Sequence, residues 1–157
     1  MKSSPRVEVG WLTALLLCAL VTVAAWGVAA AGWDDGLWAA WFTGVVGVLA
    51  GWALARSRFS GWLAAGFAAV YGLFCAGFVL GFGLPGTWHA RSLELVTRLG
   101  EFFYKAIFGG ASRDILPFTF LVTFVYWIIG AVAGWTVFRR AALWPAVIPG
   151  GVALLIN

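Results

Sequence analysis

Residues 10–31, 37–55, 62–84, 115–138 and 141–157 of this chain contain no Asp, Glu, Lys, Arg or His. A hydrocarbon core about 30 Å thick is crossed by a helix of about 20 apolar residues, so each of these runs is long enough, or nearly so, to be a span. In lipid every backbone polar group must find its partner inside the protein, which a helix accomplishes within one segment. The runs therefore predict an all-α integral membrane protein, a single domain over residues 1–157 with about five transmembrane helices and no strand. Composition agrees: 63% hydrophobic and 10% charged is far from the roughly 45–50% and about 25% of a soluble domain. Short loops between spans leave no room for a soluble catalytic domain.

Residues 85–114 break the pattern, with His89 and a large share of the charged side chains. Arg91, Glu94, Arg98, Glu101 and Lys105 follow a 3-4-3-4 spacing that places them on one strip of a helix, where i,i+4 pairs of opposite sign support each other in a solvated face. Leu95, Val96, Leu99, Phe102, Phe103 and Ala106 fill much of the remaining arc. Such a segment is too polar to cross and too apolar to stand in water. It predicts an amphipathic interfacial helix over about 91–107, lying in the membrane surface with Leu95, Leu99, Phe102 and Phe103 buried.

The net charge of +4 points to orientation rather than to nucleic acid, because outside the surface segment the basic residues stand at the ends of apolar runs. Lys2, Arg6, Arg56, Arg58, Arg139 and Arg140 fall on the side of the N-terminus against one acid, Glu8, whereas acids outnumber bases on the other side. The positive-inside rule then puts the N-terminus in the cytoplasm, with Asp34, Asp35 and the interfacial helix outside. The first run is too long for the core of a cleavable signal and is expected to remain as a span. Trp11, Trp33, Trp38, Trp62, Trp88 and Trp144 lie near span ends, where indole rings favour headgroup depth. Small residues recur at four-residue spacing in Gly47 and Gly51, Gly77 and Gly81, and Gly130 and Gly134. These pairs are candidate points of close helix packing.

The residues that chemistry needs are not arranged for it. Pumps, channels and transporters place ionisable groups at membrane depth, and the runs have none. The sole histidine, His89, is at the interface, which argues against a haem-binding span. Cys18 and Cys75 sit singly inside apolar runs, reading as small core residues, and Asp34 with Asp35 as a solvated turn. No catalytic, metal-binding or cofactor-binding residue is assigned, and no small-molecule substrate class is indicated. The partners implied are the lipid bilayer and other transmembrane helices or a larger membrane complex, not nucleic acid.

Four strings carry a resemblance: AAAGWDDGL after the first run, LARSR after the second, GGASRD before the fourth and FRRAALWPAVIPGGVALLIN at the end. In this order they resemble the N-terminal membrane domain of bacterial membrane-anchored transglutaminase-like proteins. The resemblance implies a non-catalytic anchor and scaffold that positions an extracytoplasmic transglutaminase- or protease-like domain, whose Cys, His and Asp have no counterparts here. The alternative from composition is a small accessory subunit of a large respiratory or photosynthetic membrane complex. In either case the last run is short for a span, and Pro145 and Pro149 remove two donors from it, so it is expected to need lateral support from other helices.

Overall fold

The computed structural model describes residues 10–32, 34–110 and 114–156, and over these the chain is helical without strands. Lys2, Arg6, Glu8 and Trp33 lie outside the described residues. The helices are α1 (Trp11–Ala30), α2 (Trp38–Arg56), α3 (Gly61–Gly81), α4 (Trp88–Phe108), α5 (Leu116–Arg140) and α6 (Trp144–Ile156), with a short 3-10 turn at Asp35–Leu37 before α2. Four of them, α1, α2, α3 and α5, are long and apolar enough to cross a membrane.

Local chemistry sets the boundaries. Ser60 and Thr87 cap α3 and α4, their hydroxyls accepting from the backbone N–H of Leu63 and Ala90, each at 3.5 Å. Helix α4 accordingly begins three residues before the expected 91, and it ends at Gly109, whose φ of 80° is available to glycine at no steric cost. At the start of α5, Asp114 accepts from the Leu116 N–H at 3.1 Å, and Pro117 occupies the first turn, where a missing donor is harmless. The expected fifth span over 141–157 is where the structure differs most. Ala141 takes φ 52° and ends α5, residues 141–143 form no helix, and α6 begins only at Trp144. Its 13 residues rise about 20 Å, well short of a ~30 Å core.

Helices α2 and α5 form the closest pair. Against them α1 contributes Leu17, Val21, Ala24, Ala25 and Val28 to a core completed by Leu37, Ala40, Val48, Tyr126, Ala133, Val137 and Ala146. The lateral support expected for the last helix comes from this chain: α6 rests on α1 and α5, with Ala146 buried. Several polar side chains at depth bond across the bundle, whereas Tyr71 on α3 is exposed. The Tyr126 hydroxyl donates to the Ala24 carbonyl at 2.9 Å, Thr43 to the Thr123 carbonyl at 3.1 Å, and Trp127 Nε1 to the Ala68 carbonyl at 2.8 Å. Each ties two helices where water cannot compete.

The two ends of the bundle differ in charge. At one end Arg139 donates to the carbonyls of Ala55 and Ser57 at 3.1 and 2.6 Å, closing the C-terminus of α2 and gathering Arg56, Arg58, Arg139 and Arg140 together. Arg56 and Arg140 lie over the rings of Trp52 and Trp135. At the opposite end Thr119 donates to Asp34, joining the turn before α2 to the first turn of α5, and Asp114 stands beside Arg98 of α4.

Candidate functional site

The first candidate feature is the seam between α2 and α5. A Cβ added to Gly47 or Gly51 would come within 3.0 Å of the carbonyl of Trp127 or Ala131, and one added to Gly130 or Gly134 within 3.0 Å of the carbonyl of Gly44 or Val48. These glycines let the two backbones touch along about two turns. In lipid, where apolar surface gains nothing by burial alone, such contact is the main source of helix affinity. Sequence reading missed Gly44, which shares the face of Gly47 and Gly51 at three-residue and seven-residue spacing and against which Val21 of α1 also packs. The third pair sits elsewhere. A Cβ on Gly77 would make only ordinary contact, 4.0 Å from Leu95 and Phe120, and one on Gly81 would meet the Trp88 ring at 3.2 Å. Gly81 therefore serves the approach of α4 to α3, with a side chain rather than backbone opposite it, whereas a β-carbon would fit at Gly77.

The second feature is α4 itself. Trp88 packs beside Gly81 and stacks on Phe78 with centroids 4.8 Å apart. Leu95 is buried with Ala76, Leu84 and Phe120, and Arg98 reaches Asp114 just before α5. The helix thus lies across the C-terminal part of α3 and the start of α5. Its charged strip forms the expected i,i+4 pairs, with Glu101 and Lys105 exposed, but its first half is partly covered. Arg91, Glu94 and Arg98 are half-buried, Glu94 pairs with Arg98, and Glu101 pairs with Lys105 at 3.6 Å. Of the residues expected to be buried, Leu95 is, Leu99 and Phe102 are half-buried, and Phe103 is 48% exposed. Phe103 belongs instead to an outward apolar face with Leu93, Val96, Ile107 and Phe108. The reason is geometric: positions 91, 95, 98, 99 and 102 share the arc facing α3 and α5, so the charged and apolar strips each divide between the two sides.

Between α3 and α4, closed on one side by α2 and α5, runs an apolar groove of about 1050 Å³. Among the described residues Arg91 is the one charged side chain lining it, held with its guanidinium 5.3 Å from the centroid of the Trp88 ring. Sequence reading placed Arg91 on the charged strip and gave no sign of the groove, because its walls come from four helices.

The remaining chemistry-bearing residues stay apart. His89 is exposed on the first turn of α4, and Cys18 and Cys75 are free thiols on α1 and α3. Asp34 and Asp114 accept hydrogen bonds from Thr119 and the Leu116 backbone. Among the described residues no three His, Cys, Asp or Glu side chains converge. The chain matches no family model, no curated protein and no solved structure.

Proposed function

We propose that this chain is a non-catalytic anchor and scaffold of a bacterial cytoplasmic membrane, its basic end in the cytoplasm and α4 on the outer surface. There it positions an extracytoplasmic domain or partner, of the transglutaminase-like type that the sequence resemblance implies. The observation that carries the reading is the placement of α4. A closely packed pair of helices, α2 and α5, fixes the frame on which α4 is set, and α4 turns Leu93, Ile107 and Phe108 outward with no cover from the other described residues. The described acids all lie at the end opposite Arg56, Arg58, Arg139 and Arg140, which supports the orientation. A photo-crosslinker at Ile107 in native membranes is expected to give a discrete adduct with a protein bearing an extracytoplasmic domain, and the purified chain to lack transamidase and protease activity. Lipid adducts alone, or intrinsic activity of the purified chain, would overturn the proposal. Co-migration with a respiratory or photosynthetic complex in native electrophoresis would replace it with the accessory-subunit reading.

A further inference from the structure

The groove beneath α4 is a site in its own right and does not depend on what the scaffold carries. At about 1050 Å³ it stands near the upper end of the roughly 300–1,000 Å³ usual for ligand pockets. Phe74 and Val70 on α3 and Val96 on α4 line it and are 73%, 50% and 64% exposed, so it opens to the surroundings rather than lying sealed in the bundle. Its walls are apolar side chains almost throughout.

Tyr71 and Ser92 bring hydroxyls to the lining, and Arg91 brings the one charge among the described lining residues; its bonding is incomplete. Its Nε is buried without a hydrogen-bond partner. Among the described residues no ion pair involves it, since Glu94 and Asp114 are both taken up with Arg98. The ring of Trp88 beneath the guanidinium is itself fixed, stacked on Phe78 and edge-on to Phe82 at 5.0 Å. A half-buried cation held in one place without a counter-ion is costly. A ligand that brings an anion to this point and hydrocarbon to the groove would relieve both deficits at once. Guanidinium is the side chain best suited to phosphate oxygens, which it can engage through two parallel N–H donors.

We propose that the groove binds an anionic phospholipid, with an acyl chain along Phe74, Leu95, Leu99 and Phe120 and the headgroup phosphate on Arg91. A partner helix would match the apolar walls but would have to carry an acid to Arg91 inside lipid. The phospholipid meets both requirements with one molecule already present in the bilayer.

The test is native mass spectrometry of the full chain released from nanodiscs of equal phosphatidylglycerol and phosphatidylcholine. The wild type is expected to retain phosphatidylglycerol several-fold over phosphatidylcholine, Arg91→Gln to lose that preference, and Arg91→Lys to keep most of it. Val96→Trp fills the groove from an exposed position and is expected to lower retention of both lipids while leaving the protein monodisperse. Equal retention of the two lipids by the wild type would overturn the proposal without recourse to any variant. So would an unchanged preference in Arg91→Gln, or a protein chain crosslinked at Phe74 in place of lipid.

Discussion

Gly130 of α5 faces the carbonyl oxygen of Gly44 in α2 so closely that a β-carbon on it would stand within 3.0 Å of that oxygen. Carbonyl and helix axis are both rigid, so a substitution has nothing to displace except the helix. Gly130→Ala is expected to destabilise the protein by about 1–3 kcal/mol, the range for overpacking a tight interior, read as a lower midpoint in mixed-micelle unfolding by SDS. Gly66 of α3 has nothing within 4 Å of a Cβ position. There the same change should be neutral or stabilising by up to about 1 kcal/mol from helix propensity. Equal effects at the two sites would mean that the seam is not close-packed.

Tyr126 makes the longest-range side-chain bond of the core, its hydroxyl donating to the Ala24 carbonyl at 2.9 Å. Ala24 O is a helix carbonyl in its own right, so its loss of one donor leaves no orphan. Tyr126→Phe should therefore cost only about 0.6 kcal/mol, the mean for interhelical bonds in membranes, and less than about 1.7 kcal/mol. A loss of several kcal/mol in the same unfolding assay would show that the hydroxyl does more than join α1 to α5.

Arg139 satisfies the last carbonyls of α2 and fixes the turn to α3 through donations to Ala55, Ser57 and Phe59. Replacing it by Leu removes a charged donor from these acceptors, at about 1–3 kcal/mol. Hydrogen exchange of residues 55–60 is expected to accelerate in Arg139→Leu and to be partly restored in Arg139→Lys. Unchanged exchange would assign the turn's order to Ser57 and Ser60 alone.

Leu95 is 7% exposed among Ala76, Leu84 and Phe120. Truncation to Ala should cost about 2–5 kcal/mol and release α4 before the rest of the bundle, detected as selective protease cleavage within residues 88–108. Cleavage no faster than in the wild type would mean that α4 is held by Trp88 and Arg98 without it.

Orientation is testable on a background with Cys18→Ala and Cys75→Ala. A thiol introduced by Arg58→Cys should be protected from an external membrane-impermeant reagent and one introduced by Asp35→Cys should react. The opposite pattern would invert the proposed topology.

The sequence by itself determined the all-helical class and the positions of α1, α2, α3 and α5 to within a few residues, because apolar runs without ionisable groups have one solution in lipid. It also marked the glycines, whose spacing is visible along one helix. Which glycines meet which backbone was decided in three dimensions: Gly47 and Gly51 oppose the backbone of α5, while Gly77 and Gly81 face side chains, Leu95 and Trp88 of α4 and Phe120 of α5. Periodicity likewise located α4 but not its rotation, since an arc with both Leu95 and Arg91 on it can be turned inward only when α3 and α5 supply the surface to receive it. The break at Ala141 is of the same kind. Its φ of 52° costs a non-glycine residue about 1–2 kcal/mol, a preference no local pattern announces and one that the docking of α6 on α1 and α5 overrides. Arg91 gained its unpaired place at the groove in the same way, from four helices whose contacts are remote in sequence and close only once packed.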